Sequence, residues 1–151
     1  MQPSDRGKNM ANPEYWQMRL HRALKPIYAI GVGFDWEVIN KEHEKIIKEH
    51  IRPGETVLDV GCGIGRTTKW FTPEQYWGID FVPEFIDIAC QNNKGYRFKV
   101  WDAREKLDGE WDWGLLISVA GVMDKSEQRL NQNCKKFLVL EYTNPEEYMI
   151  K

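Results

Sequence analysis

A short apolar segment followed by three alternating glycines constrains the fold of this chain more than any other feature. Residues 56–66 read TVLDVGCGIGR, with glycines at Gly61, Gly63 and Gly65. The apolar side chains over 57–60 favour a buried parallel strand. Glycines directly after such a strand let the backbone adopt positive φ and approach a ligand closely, because no Cβ stands in the way. The segment therefore predicts a ligand-binding turn at the carboxyl end of a first strand.

Asp59, two positions before the first glycine, distinguishes between the ligands that such a turn binds. Dinucleotide-binding folds space their glycines as Gly-x-Gly-x-x-Gly, whereas the third glycine here comes one position earlier. The Asp59 carboxylate would repel a pyrophosphate and attract a cationic ligand. A purely structural glycine turn is the remaining alternative. The acidic-x-Gly-x-Gly-x-Gly pattern resembles motif I of the class I S-adenosylmethionine-dependent methyltransferases, whose cofactor carries a cationic amino group and a sulfonium centre.

The rest of the chain alternates short apolar runs with helical segments, which is typical of an α/β sheet. The resemblance implies a Rossmann-like three-layer α/β sandwich, with a mostly parallel sheet of order 3-2-1-4-5 and helices at the N-terminus. Four strands are predicted after the first, over Tyr76–Ile79, Tyr96–Trp101, Trp113–Val119 and Lys136–Tyr142. Helices are predicted over Glu14–Leu24, Trp36–Ile51, Glu84–Asn92 and Lys125–Cys134.

The length of 151 residues fits one domain. We expect 1–12 to form a flexible tail and 13–151 a single domain, with 13–52 as a helical cap on the substrate side and 53–144 as the core sheet. Complete members of the family add a two-strand hairpin after the fifth strand, and Tyr148–Ile150 is too short to replace it. An open edge at strand five is therefore predicted. Open edges invite pairing, so we expect the N-terminal helices, a homodimer contact or a partner subunit to cover it.

Two further aspartates follow predicted strands, Asp80 after the second and Asp102 after the third. Ligands of α/β sheets bind outside the carboxyl ends of the strands, where a carboxylate can accept both hydroxyls of a ribose. The resemblance implies that Asp59 and the glycine backbone hold the methionine part of the cofactor and that Asp80 holds the ribose. It further implies that Asp102 and Ala103 hold the adenine. The complete set of predicted cofactor-binding residues is Asp59, Gly61, Cys62, Gly63, Gly65, Asp80, Phe81, Asp102, Ala103, Ser118, Tyr15 and Arg19.

The N-terminal segment offers candidates for the substrate side. The run Tyr15-Trp16-Gln17-Met18-Arg19 is similar to one that small-molecule methyltransferases carry in a helix over the cofactor, where the aromatic pair excludes water and the arginine binds the carboxylate. An amphipathic packing helix with a solvated arginine is the alternative. His43 and His21 are the candidates for a general base, although a histidine on an apolar helical stripe is more often a satisfied core residue. No catalytic residue is assigned beyond these two.

Composition excludes several function classes. A net charge of −2 gives no overall positive field for nucleic acid or an anionic membrane, and no apolar run approaches the roughly 20 residues that cross a bilayer. The N-terminus has no signal-peptide pattern. Cys62, Cys90 and Cys134 have neither metal-ligand nor disulfide spacing, so we expect reduced thiols, no metal site and a cytoplasmic protein. The sequence SVAGV at 118–122 replaces the Asn/Asp-Pro-Pro-aromatic motif of DNA methyltransferases, which argues against methylation of base amino groups.

The resemblance implies a methyltransferase that uses S-adenosylmethionine and acts on a small-molecule acceptor. The principal alternative is an S-adenosylmethionine-binding protein that transfers no methyl group, either a cofactor-degrading enzyme or a non-catalytic subunit of a modification complex. A nicotinamide-dependent enzyme is a third alternative, and the glycine spacing and Asp59 count against it.

Overall fold

A computed structural model describes residues 12–22, 36–102, 105–117 and 130–151 of the chain. Two helices precede the sheet, α1 over Pro13–Arg22 and α2 over Trp36–His50. Asn12 caps the start of α1, because its Oδ1 accepts the backbone N–H of Glu14 at 3.0 Å. The predicted continuation of this helix to Leu24 lies outside the described residues. Helix α2 presents one buried stripe, formed by Ile39, Asn40, His43, Ile46 and Ile47.

A six-stranded sheet with the order β3-β2-β1-β4-β5-β6 forms the centre of the molecule. Its strands are β1 Val57–Val60, β2 Tyr76–Asp80, β3 Arg97–Val100, β4 Trp111–Ile117, β5 Cys134–Leu140 and β6 Tyr148–Ile150. The first five strands run parallel, with β1 between β2 and β4. Helix α3, Pro83–Asn92, connects β2 to β3. The predicted strand order 3-2-1-4-5 and the Rossmann-like α/β class are confirmed.

The connection from β1 to β2 holds only one turn of 3-10 helix, Thr68–Trp70, where strands of a parallel sheet are usually joined by a longer helix. At Phe71 the backbone returns to an extended conformation (φ −131°, ψ 156°). The buried Phe71 ring then packs against Tyr76, the first residue of β2, with 5.9 Å between ring centroids. No long helix follows the glycine turn, which is held instead by backbone hydrogen bonds, among them those from the N–H groups of Gly61 and Cys62 to the carbonyl of Ile79 in β2.

Strand β6 corrects the prediction of an open edge at strand five. Residues Tyr148–Ile150 pair antiparallel with Leu138–Leu140 of β5. The prediction was wrong because a turn brings the chain back beside β5: the N–H of Glu147 donates to the carbonyl of Asn144 at 3.0 Å. Three residues suffice, since the pairing continues to Lys151, which exchanges backbone hydrogen bonds with Phe137.

The boundary between the last predicted helix and β5 is also corrected. Cys134 was predicted to end a helix, but it is the first residue of β5 and lies opposite Trp111 of β4. The N–H of Trp111 donates to the carbonyl of Asn133 at 2.7 Å, which starts the parallel pairing two residues earlier on each strand than predicted. Strand β5 accordingly ends at Leu140 rather than at Tyr142. Residues 118–129 lie outside the described part of the chain.

The two faces of the sheet bury different residues. In β1, Val57 contributes to a cluster that includes Ile46 and Ile47 of α2, whereas Leu58 contributes to a second cluster that includes Leu116 of β4. This alternation follows from the two-residue period of a strand, and it gives β1 buried apolar side chains on both faces, with the buried Asp59 on the same face as Val57. Leu130, only 1% exposed, closes part of the second cluster.

Candidate functional site

The three glycines of the turn after β1 all adopt positive φ, at 75° for Gly61, 56° for Gly63 and 83° for Gly65. Side chains other than glycine rarely adopt this region. At Gly65 a Cβ would also lie 2.7 Å from Nδ2 of Asn93 and 3.1 Å from Cζ of Phe98. The turn is therefore a tight backbone cradle at the carboxyl end of β1, with positive φ at all three glycines and no room for a side chain at Gly65.

Asp80, the last residue of β2, ties this cradle to the neighbouring strand. Its Oδ2 accepts the N–H of Gly63 at 2.9 Å, and its Oδ1 accepts the N–H of Val82 at 2.9 Å. Burial raises the pKa of Asp80 to about 6, although the backbone donors favour the charged form and act in the opposite direction. Each carboxylate oxygen has a further lone pair, so the group can still accept ligand hydroxyls. The predicted ribose-binding residue is thus adjacent to the glycine turn.

Asp59 lies within β1 and is only 2% exposed. Its Oδ2 accepts hydrogen bonds from Oγ1 of Thr67 at 2.8 Å and from the hydroxyl of Tyr76 at 2.6 Å. Burial raises the pKa of Asp59, while these two donors and the nearby Arg66 lower it. The carboxylate therefore supports the turn from the interior, and its direct contact with a ligand stays a prediction.

The third predicted aspartate lies at the neighbouring strand end. The N–H of Trp101 donates to the carbonyl of Asp80 at 2.9 Å, which places the end of β3 beside the end of β2. Asp102 follows, half-buried, and its carbonyl accepts the N–H of Glu105 at 2.9 Å. Asp59, Asp80 and Asp102 thus lie in or just after three neighbouring strands, close to the carboxyl ends of those strands. Ala103 and Ser118, the other predicted residues of this edge, lie outside the described part of the chain.

Helix α1 packs beside the glycine turn. Its Trp16 and Leu20 form an apolar cluster with Ile64 of the turn and Phe81, together with Val82 and Phe85 of the following segment. The rings of Trp16 and Phe85 meet edge-on with 6.2 Å between centroids. A hydrogen bond from Nε2 of Gln17 to Glu84 at 3.0 Å further joins α1 to α3.

The predicted contacts Tyr15 and Arg19 lie together on this helix. Nη1 of Arg19 donates to the Tyr15 hydroxyl at 3.2 Å, and the guanidinium lies 5.8 Å from the Tyr15 ring and 5.6 Å from the Trp16 ring. Both side chains are half-buried. The aromatic rings hold the cation in place, which reduces the entropy that it would lose on binding a carboxylate.

The two candidate bases, His43 and His21, are not brought together. His43 is completely buried on α2, and burial lowers its pKa to about 4, so the ring is neutral near pH 7. Its Nε2 lies 2.9 Å from the carbonyl of Glu141, which requires Nε2 to be the donor, and its Nδ1 lies 3.3 Å from Nη2 of Arg66. Both ring nitrogens therefore have protein partners. His21 is exposed on α1, in a cleft that also contains Glu14 and Glu84.

Several supporting residues were not predicted from the sequence. Nδ2 of Asn93, at the end of α3, donates to the carbonyl of Ala89 at 2.9 Å and approaches that of Ile64 at 3.3 Å. Oγ1 of Thr68 lies 2.7 Å from Oδ1 of Asn93 and 3.0 Å from the carbonyl of Gly65. The hydroxyl of Thr68, shortly after the glycines, is visible in the sequence, but its partner Asn93 lies 25 residues further along the chain.

Cys62 packs into the sheet rather than facing the cradle. It is 6% exposed, and its Sγ lies 2.9 Å from where a Cβ on Gly78 of β2 would be. Burial raises its pKa well above the usual range, which keeps it a thiol. In the described ranges, no cluster of three or more His, Cys, Asp or Glu side chains is arranged to hold a metal ion. Helices long and apolar enough to cross a membrane are likewise absent from those ranges.

Comparison with known proteins identifies the class of site. A family model described as "Methyltransferase domain" matches residues 57–139, which is more than half of the chain and includes the glycine turn and the ends of β2 and β3. Among curated proteins, the chain is 26% identical over 120 residues to a ribosomal protein L11 methyltransferase from Thermosipho africanus. That match covers 75% of this chain but 45% of the relative, and a second match to the same kind of protein covers 51% of it. The chain thus spans about half the length of these curated relatives.

Solved structures with the same fold include methyltransferases. A phosphoethanolamine N-methyltransferase from Haemonchus contortus, solved with phosphoethanolamine and S-adenosylhomocysteine, superposes with a TM-score of 0.64 at 16% identity. The match covers 93% of this chain and 33% of that protein. A TehB-like SAM-dependent methyltransferase from Corynebacterium glutamicum superposes with a TM-score of 0.58 at 18% identity, over 85% of this chain and 73% of that one. At these identities the similarity shows the shared fold.

Proposed function

This chain belongs to the methyltransferase-domain family, whose cofactor is S-adenosylmethionine, and we propose that it transfers the methyl group of that cofactor to a small-molecule acceptor. The observation that carries this proposal is the glycine cradle joined to Asp80 at the carboxyl edge of the sheet. The cradle exposes backbone rather than side chains, as a ligand held close to the main chain requires. The adjacent carboxylate accepts hydroxyls, which matches a ribose.

We assign the parts of the cofactor to three strand ends. The backbone of Gly61, Gly63 and Gly65 lies against the methionine part, with Asp59 providing negative charge beneath it. Asp80 accepts the ribose hydroxyls, and Phe81 packs beside the sugar. The adenine lies toward Asp102 and Ala103, while Cys62 contributes backbone and packing only. Ser118 belongs to the methyl end of this set, after β4.

The residues of α1 complete the pocket. We assign the carboxylate of the methionine part to Arg19, with Tyr15 holding the guanidinium. Trp16 packs against Val82 and Phe85 beside the turn, and we assign to it the exclusion of water from that side. When bound, the cofactor supplies a methyl carbon on a positively charged sulfur, which an acceptor N, O or S attacks in line as sulfur leaves with the bonding electron pair. The contribution of this chain is positioning of the reactants and exclusion of water. Both ring nitrogens of His43 have protein partners, so we assign His43 a structural role and assign no general base.

A protein acceptor is the second candidate. It is favoured by the names of the curated relatives, which are ribosomal protein L11 methyltransferases. The small-molecule proposal is supported by helix α1, whose Trp16 packs against the same Val82 and Phe85 as Ile64 of the turn, so that the helix lies beside the cofactor site. The three cysteines are free thiols, which is compatible with our proposal of a cytoplasmic location.

Methyl-labelled S-adenosylmethionine tests the proposed function. The protein is incubated with the labelled cofactor alone, with pools of small amines, thiols and hydroxy acids, or with ribosomal protein L11. We expect label to enter a small molecule, and Asp80→Ala to abolish this transfer. Label in L11 would favour the protein acceptor. Breakdown of the cofactor without an acceptor would indicate a degrading enzyme, whereas tight binding without turnover would indicate a non-catalytic subunit.

A further inference from the structure

The outer edge of β6 carries backbone groups directed away from the sheet. Lys151 and Phe137 exchange two backbone hydrogen bonds, at 2.9 and 3.0 Å, so they form a hydrogen-bonded pair of the antiparallel ladder. Such pairs alternate along a ladder, so Met149 opposite Val139 is the next one. The N–H and C=O groups of Tyr148 and Ile150 therefore point away from β5. In the described part of the chain, the sheet ends at this strand.

The side chains of the same strand are exposed and apolar. Tyr148 is 44% exposed, Met149 54% and Ile150 48%. These are three of the six large apolar side chains that are exposed in the described residues, and they are consecutive. An edge strand with exposed apolar residues is a site where another strand can pair.

We propose that two copies of this chain associate through antiparallel pairing of their β6 strands, about a two-fold axis at Met149. This register places Tyr148 of each copy opposite Ile150 of the other. Both residues have outward N–H and C=O groups, so each pair exchanges two hydrogen bonds and the dimer gains four. If the two-fold axis passed through Tyr148 or Ile150 instead, some of these N–H and C=O groups would have no partner in the strand of the second copy.

Side-chain chemistry agrees with this register. Tyr148 lies against Ile150 of the second copy, which is a favourable aromatic–aliphatic cross-strand pair. One residue beyond the strand, Glu147 comes opposite Lys151 of the second copy, and the two-fold axis repeats this pairing of opposite charges at the other end. Because each β6 strand pairs with the β6 strand of the other copy, the assembly is complete with two copies. Both β6 edges are then covered, and no third copy can add to the sheet there.

A cleft beside the strand adds a second observation. Ile150 lines a cleft of about 390 Å³ at the amino ends of β4 and β5, together with His50, Trp113 and Lys136. Nε2 of His50 and Nε1 of Trp113 are buried and have no hydrogen-bond partner in the described structure. The Tyr148 ring of the same chain packs against His50, with 4.7 Å between ring centroids, so the cleft and the edge strand form one continuous surface. In the proposed dimer, pairing along β6 covers the Ile150 side of this surface.

Sedimentation velocity and light scattering over a wide concentration range test the dimer. The strand contact is short, so we expect a dissociation constant on the order of tens of micromolar. Met149→Lys places two ammonium groups face to face on the axis, and we expect it to weaken dimerisation roughly tenfold or more. Val100→Lys, on the opposite sheet edge and 42% exposed, is the matched control and should leave the constant unchanged. Circular dichroism checks that both variants fold.

A charge exchange tests the register. Glu147→Lys and Lys151→Glu each place like charges opposite one another, and we expect each to weaken the dimer several-fold. The double variant restores opposite charges and should return the dissociation constant to that of the wild type. A wild-type chain that stays monomeric at millimolar concentration overturns the proposal. A dimer that Met149→Lys leaves intact also overturns it, and a double variant no tighter than the single ones overturns the register.

Discussion

The backbone N–H of Gly63 donates to the carboxylate of Asp80 across 2.9 Å, and this bond joins the glycine turn after β1 to the end of β2. The same carboxylate accepts the N–H of Val82, at the start of α3. Asp80 is thus a structural support of the turn and, in our proposal, the group that receives the ribose. Because burial raises its pKa to about 6, its charge changes close to physiological pH.

Cofactor affinity should therefore depend on pH through Asp80. The ribose hydroxyls donate to the ionised carboxylate, so binding favours the charged form. We expect the dissociation constant for S-adenosylhomocysteine to be constant above about pH 7 and to rise by up to roughly tenfold per pH unit below pH 6. Asp80→Asn should bind more weakly at pH 8, by about 1 to 3 kcal/mol, and without this slope. Calorimetry from pH 5 to 8 checks both; an equal slope in the variant would contradict the assignment.

Gly65 should be more sensitive to substitution than another glycine with similar backbone geometry. Gly65 and Gly54 have φ of 83° and 91°, but only Gly65 has atoms where a Cβ would be, the nearest being Nδ2 of Asn93. We expect Gly54→Ala to cost about 1 kcal/mol of unfolding free energy. Gly65→Ala should cost clearly more and also abolish cofactor binding, because the clash displaces the turn. Urea denaturation measures the first effect and calorimetry the second. Equal losses of stability in the two variants would show that the turn tolerates a Cβ.

Part of the loss of unfolding free energy at acidic pH should come from His43. Its pKa is about 4 in the folded chain and 6.5 in the unfolded chain, so the unfolded state binds more protons between these values. The stabilisation is present above pH 6.5 and is lost as the pH falls toward 4, by up to roughly 3 kcal/mol. Burial of Asp80 acts in the opposite direction over pH 4 to 6, so the informative quantity is the difference from His43→Gln. We expect this variant to lose less stability on acidification, as followed by urea denaturation at each pH. A pH profile parallel to that of the wild type would refute this account.

Arg19 should strengthen the binding only of ligands that carry the amino-acid part of the cofactor. Arg19→Met removes the cation and keeps most of the side-chain length. We expect it to weaken S-adenosylhomocysteine roughly tenfold and to leave 5′-methylthioadenosine, which lacks the amino-acid part, unchanged. Met18→Ala, 54% exposed on the same helix, is the control and should change neither constant. Equal weakening of both ligands in Arg19→Met would indicate that the residue only packs α1.

The sequence was sufficient to predict the arrangement of the three aspartates. A parallel sheet places the carboxyl ends of its strands at one edge, so residues at or close to the ends of three adjacent strands must lie along that edge. Asp59, Asp80 and Asp102 follow this rule, and the strand order 3-2-1-4-5 that brings them together is observed. The glycine pattern was equally informative, because positive φ is a local requirement that the residue type reveals.

Contacts between distant segments were not predictable in this way. The partners of Asp59, Tyr76 in particular, depend on which face of β2 meets the interior. The three-residue strand β6 has too little length for a periodic signal, and it forms because the edge of β5 supplies its hydrogen bonds. The position of α1 beside the turn depends on its contacts with Val82 and Phe85 at the start of α3, which no local pattern contains. These features are tertiary, and sequence periodicity reports mainly on local structure.

Calorimetric titration of the wild-type chain with S-adenosylhomocysteine and, separately, with NAD shows whether the turn after β1 binds the proposed cofactor. The glycine cradle, the carboxylate at Asp80 and the aspartate within β1 predict binding of S-adenosylhomocysteine at one site per chain. They predict no binding of NAD, because its pyrophosphate would meet the negative charge of the turn. Asp80→Ala should reduce the first affinity roughly tenfold or more. Binding of NAD without binding of S-adenosylhomocysteine would contradict the account.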